Sequence, residues 1–111
     1  MEDFNDIARL HTTVTDADIQ EGMADTYGCV YSPDGKRLLK CFPKCGTTEI
    51  VIRPNTISIA YNAFSRNEYL LHIVLPSSLK YIGDNAFSQC ASLEDVYLPN
   101  SVIFLGNCAF E

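Results

Sequence analysis

The chain is short of nearly everything that marks a catalyst, a membrane protein or a nucleic-acid binder. Its 111 residues hold no run of 18 apolar residues, so no segment is expected to span a bilayer. The first 25 residues lack the basic start and continuous apolar stretch of a secretory signal, so the chain reads as cytosolic, or as a mature form whose signal has been removed. Bases are few: 8 Lys and Arg stand against 14 Asp and Glu, a net charge of −6. The imbalance sits in residues 1–25, where Glu2, Asp3, Asp6, Asp16, Asp18, Glu21 and Asp25 face Arg9 alone. Beyond them bases and acids cancel. With no cluster of bases to displace counterions, neither nucleic acid nor an anionic membrane surface is the expected partner. No glycine-rich phosphate loop is present.

Histidine is limited to His11 and His72, and no pattern forces a Cys-His pair together with an orienting third group. Glu94 and Asp95 are neighbours, which a strand turns to opposite faces rather than to the two sides of one substrate. No catalytic residue, cofactor or metal site is expected. The five cysteines include Cys41 and Cys45 at a spacing of four, with Cys29 upstream. Three ligands fall short of the four that structural zinc takes. A disulfide between Cys41 and Cys45, or from Cys29 to one of them, stays open for an exported protein, and the odd count leaves at least one thiol outside any such pairing. Cys90 and Cys108 read as buried thiols of the repeat described next.

What the chain does have is a period. Leu70, Ile73, Leu75, Leu79, Ile82, Gly83, Asn85, Ala86 and Phe87 return 23 residues later as Leu93, Val96, Leu98, Val102, Leu105, Gly106, Cys108, Ala109 and Phe110. Pro76 and Ser78 return as Pro99 and Ser101. An earlier copy keeps register through Ile50, Ile52, Thr56, Ile59, Asn62, Ala63 and Phe64, with Pro54 one place later than the other prolines. Such self-similarity decides the fold before any local reading. Within each copy the pairs Ile50 and Ile52, Ile73 and Leu75, and Val96 and Leu98 alternate as the inward side of a strand does. Proline then stops the strand, because it cannot donate to a ladder. A shorter apolar pair follows (Leu79 with Ile82, Val102 with Leu105), then a glycine read as permitting a tight turn. The Asn-Ala-Phe element reads as a short helical or 3₁₀ corner whose Phe64, Phe87 and Phe110 stack inward. One coil cannot bury its own apolar face, so the copies must stack.

The run LPSSLKYIGDNAFSQCASLEDVYLPNSVIFLGNCAF, Leu75 to Phe110, resembles the bacterial surface-antigen type of leucine-rich repeat, with its proline, glycine, Ala-Phe and cysteine landmarks. The resemblance covers residues 50–110. It implies a leucine-rich-repeat solenoid: a right-handed coil stack with a parallel β-sheet on one face, short helical or 3₁₀ corners, and an N-terminal hairpin cap. It also implies a cell-surface or secreted bacterial protein, some members being adhesins for host matrix proteins or other cells, and it carries no catalytic site. About two and a half coils are expected, either a minimal member or part of a longer array.

Three segments follow from this reading. Residues 1–29 are an acidic, partly helical cap built around Phe4, Ile7, Ala8 and Leu10, with a second turn capped by Thr15 or Asp16. Residues 30–45 are a capping hairpin turning at Pro33 to Lys36, where proline presets one angle and Gly35 accepts the positive one. Residues 46–111 hold the repeats. Alternation leaves Val51, Val74 and Tyr97 as an outward row flanked by Glu49, His72 and Asp95. That row reads in two ways. β-Branched and aromatic residues suit any pleated surface; equally, an apolar strip with a polar rim is the anatomy of a protein contact, with Tyr97 its anchor. The expected function is a non-catalytic protein-binding or adhesion module, whose partner is a host matrix or surface protein. The alternative is a spacer or self-associating element, dimeric through residues 93–111.

Overall fold

The computed structural model describes residues 4–43, 46–94 and 96–110. Two helices open the chain, α1 (Phe4–Thr12) and α2 (Asp16–Glu21), followed by β1 (Met23–Ala24), β2 (Cys29–Tyr31) and β3 (Arg37–Cys41). The repeats then supply β4 (Glu49–Val51), β5 (Ser58–Ile59), β6 (His72–Val74), β7 (Tyr81–Ile82) and β8 (Phe104–Leu105).

These strands form two sheets. The smaller pairs β4 with β6 in parallel, Ile50 against Ile73, as the alternating runs require. The larger has the order β1-β2-β3-β5-β7-β8. Its first three strands are antiparallel and the rest are parallel, so β3 is both the second arm of the hairpin and the template for the first coil. The sequence suggested one sheet. The second joins the hairpin to strands at Ile59, Ile82 and Leu105 that are only two residues long and carry too little alternation to be read as strands.

Each coil is closed by the Asn-Ala-Phe corner. Amides there alternate between bonds inside the turn and bonds to the next coil. Ala63 N donates to Ala60 O (3.2 Å) and Ser65 N to Asn62 O (3.3 Å), while Asn62 N donates to Asp84 O (3.0 Å), Phe64 N to Ala86 O (2.7 Å) and Arg66 N to Ser88 O (2.8 Å). This alternation satisfies the backbone of a buried corner, which is what lets it be buried. Asn62, Asn85 and Cys108 hold its left-handed position, with φ of 57°, 57° and 56°, and asparagine tolerates that region better than most side chains. Inside the corners Phe64, Phe87 and Phe110 form a column, with ring centroids 5.0 Å apart at each step and planes within 6° of parallel.

Gly83 and Gly106 do not serve as positive-φ turn residues. A Cβ on Gly83 would lie 2.6 Å from Tyr61 N and 2.9 Å from the Ala60 carbonyl carbon, and one on Gly106 would lie 2.5 Å from Asp84 N. They are glycine because successive coils touch backbone to backbone there.

The amino-terminal segment lies along the larger sheet. Thr15 caps α2 in a reciprocal box with Asp18: Asp18 N donates to Thr15 Oγ1 (3.1 Å) and Thr15 N to Asp18 Oδ2 (2.9 Å). Those bonds hold the Asp18 carboxyl below the ordinary carboxylate range. Helix α1 packs through Ala8 and Thr12, both buried, and through His11, whose ring stacks on Tyr81 at 4.6 Å. Ile7 and Leu10, expected to anchor it, remain exposed. Arg37 Nε donates to His11 O (3.2 Å), and its guanidinium also donates to Thr13 O, fastening the helix end to β3. The hairpin turns at Ser32 to Gly35, with Gly35 N on Ser32 O (2.8 Å) and Gly35 at φ 74°.

The core joins all sides of the coil. Ile50, Ile52 and Ile73 come from the smaller sheet, Leu38, Ile59 and Ile82 from the larger, and Phe64 and Phe87 from the corners.

Candidate protein-contact face

Parallel pairing fixes the outward row. Val51 stands beside Val74, and Glu49 beside His72, in the same register that turns Ile50 and Ile73 into the core. Val51 is 41% exposed, Val74 51% and Tyr97 76%. The structure thus brings Glu49, Val51, His72 and Val74 together on one sheet face. Asp95 lies outside the described residues.

The third coil is less regular than alternation suggested. The described residues between 93 and 98 form no strand, although Glu94 N still donates to Leu71 O (2.9 Å), the counterpart of Leu71 N on Thr48 O (2.8 Å) one coil earlier. Leu98, read as inward, is exposed, and Val96 is only partly buried. Among the described residues no further coil packs on them, so the pleat that buries Ile52 and Leu75 has nothing to bury Leu98 against. The Glu94 carboxylate swings toward the face, with Oε2 3.9 Å from His72 Nε2.

Sequence reasoning missed the surroundings of the row. Beside Val51 lies an open groove of about 500 Å³ lined by Ala24, Asp25, Thr26, Tyr27, Val51 and Arg53. Asp25 shapes its far wall, since its Oδ1 accepts from Tyr27 N (2.9 Å) and Cys29 N (3.0 Å). Arg53 is held over the ring of buried Tyr31 at 4.6 Å, and its amide donates to the Tyr31 hydroxyl (3.1 Å). Burial pushes that hydroxyl up to about 12. A tyrosine fixed by its ring and its oxygen at once makes a rigid floor for Arg53. Tyr69, 70% exposed, lines a second groove of about 380 Å³ with Thr47 and Arg66. Its only signal in the sequence is an aromatic residue where the next copy has Ser92.

The cysteines part from expectation at two positions: Cys90, expected to be buried, is only half-buried. Cys90 donates from Sγ to Phe64 O of the preceding coil (3.0 Å), the carbonyl that Asn67 Nδ2 also reaches (2.9 Å). Burial pushes the Cys90 thiol up. Cys108, expected to be buried, is exposed on the outer coil. Among the described residues, no group of three or more His, Cys, Asp or Glu side chains is placed to hold a metal ion, and no helix is long and apolar enough to cross a membrane.

Comparison with known proteins agrees with this architecture. The chain is similar to the crystal structure of the pneumococcal vaccine antigen PcpA, with 29% sequence identity and a TM-score of 0.66 over 83% of this chain. It spans 22% of the length of that protein. No curated protein matches it. The family described as "BspA type Leucine rich repeat region (6 copies)" matches residues 39–111, beginning inside β3, the strand on which the first coil is laid. That family is a repeat scaffold and not an enzyme. The chain belongs to the BspA-type leucine-rich-repeat family.

Proposed function

We propose that this chain is a protein-binding module of a bacterial surface or secreted protein, and that it contacts its partner through the outward face of the smaller sheet. The observation that carries the reading is the register of Val51 beside Val74, which sets two apolar side chains outward; exposed Tyr97 belongs to the proposed row by its place in the repeat. Glu49 and His72 form the rim; Asp95 belongs to the proposed rim by its place in the repeat. Tyr97 is the anchor, because a large amphipathic ring gains contact area at little cost in side-chain entropy. In this reading residues 1–29 and 30–45 cap the array and residues 46–111 present the face. The likeness to a pneumococcal vaccine antigen supports a surface location; in this reading the partner is a host matrix or surface protein.

The test is saturable binding of the purified, reduced chain to a panel of extracellular-matrix and bacterial-surface proteins, beside the double variant Val74→Ser, Tyr97→Ser. Loss of a hot-spot aromatic is expected to weaken binding by roughly thirtyfold, about 2 kcal/mol. Unchanged affinity in a folded double variant rejects this face.

A second reading rests on a different observation. The outer coil exposes Ile103, Leu105 and Phe110 together, a surface suited to another coil. In this reading residues 93–111 join two copies, and the chain acts as a spacer or self-associating element.

A further inference from the structure

The amino-terminal hairpin carries a pair of thiols that neither the repeat nor the contact face uses. Cys29 on β2 and Cys41 on β3 are directly opposite in the antiparallel register, with their sulfurs 2.9 Å apart. Phe42 N donates to Gly28 O (2.8 Å), so the two cysteines occupy a non-hydrogen-bonded pair. At such positions the side chains approach most closely, and the expected Cα separation of about 4.5 Å falls within the range a disulfide spans. Both residues are buried, 0% and 4% exposed, at the head of the core. Cys41 N donates to Ala63 O (2.9 Å), which ties this point of the hairpin to the first Asn-Ala-Phe corner.

We propose that Cys29 and Cys41 are a modification site: in oxidising surroundings they form a disulfide that staples the hairpin on which the coil stack is laid. The oxidant is a small-molecule or protein disulfide. With oxidised glutathione, the thiolate of one cysteine attacks a glutathione sulfur, forming a mixed disulfide and releasing one glutathione thiolate. The thiolate of the other cysteine then attacks the protein sulfur of that mixed disulfide and releases the second glutathione. The two protein sulfurs give up two electrons, the two glutathione sulfurs gain them, and the two thiol protons end on the two departing glutathiones. In the folded chain the Cys29 thiol is held above the ordinary thiol range by its hydrogen bond with Cys41 and by burial. The exchange therefore runs during folding, before the pair is enclosed, and the closed bond is then shielded from reduction.

The competitor is Cys45, four residues from Cys41 and outside the described residues. Trypsin separates the three sulfurs, because cleavage after Lys36, Lys40 and Lys44 leaves Cys29, Cys41 and Cys45 on different peptides. The full chain is refolded from denaturant in a buffer of oxidised and reduced glutathione, blocked with N-ethylmaleimide, digested and read by mass spectrometry. The expected product is a cross-link between residues 10–36 and 41–44, together with a thermal midpoint higher than that of the reduced chain by on the order of 10 °C. Cys45→Ser keeps both the cross-link and the gain. A Cys41 to Cys45 link, alkylation of both Cys29 and Cys41 in a folded chain, or equal midpoints for the oxidised and reduced forms would each overturn the proposal.

Discussion

Phe87 lies between two parallel rings, 5.0 Å from each, and is 1% exposed; Phe110 has a ring on one side and is 38% exposed. The same residue type at the same place in two successive coils therefore differs only in what covers it. Phe87→Ala removes a fully enclosed ring and is expected to cost about 3–5 kcal/mol in urea unfolding. Phe110→Ala should cost clearly less, since water already reaches that ring. Equal losses would mean that the column does not carry the corners. At this scale the sequence was informative wherever a residue recurred: the three phenylalanines and the inward isoleucines follow from the 23-residue offset alone. It was uninformative where a residue has one unrepeated partner. His11 on Tyr81 and Arg53 over Tyr31 join positions 70 and 22 apart, and no pattern along the chain couples them.

Among the elements, the two-residue strands β5, β7 and β8 supply the parallel half of the larger sheet, yet two residues show no alternation to read. What marks their location is the glycine that follows the second and third of them. Gly83→Ala places a methyl group against the backbone of Tyr61 and Ala60 in the previous coil, neither of which can rotate out of the way. The expected loss is about 1–3 kcal/mol by overpacking, with reduced amide-exchange protection at Gly83 and Ala60. Gly35→Ala is the control: nothing lies within 4 Å of its added Cβ, so only the cost of its positive φ, about 1–2 kcal/mol, remains. Loss of protection confined to the hairpin in both variants would reject the close-approach reading. For the contact face, alternation foretold the outward row of β4 and β6, but not its setting. The groove beside Val51 is made by residues 24–27 returning across the sheet edge, and only a folded cap places them there.

For the molecule as a whole, the two ends of the larger sheet differ. At one, β1 and β2 close the sheet with antiparallel strands and α1 lies along its side; at the other, β8 ends the sheet beside exposed Ile103, Leu105 and Phe110. Among the described residues no further strand lies beyond β8, and a sheet edge next to an apolar coil is a surface for association. Light scattering over a wide concentration range is expected to show a dimer or higher state, and Leu105→Glu to return the chain to monomer without unfolding it. A monomeric mass at every concentration would remove the self-associating reading and leave the sheet-face reading untouched.

The asymmetry of that sheet also has a meaning in time. A ribosome delivers β2 and β3 before the coils that follow them here, and each of those coils meets an edge that is already complete. A stack of interchangeable repeats, free to nucleate at several places, risks joining coils out of order. Here the hairpin marks a starting point, and the chain can be laid down in the order in which it is made.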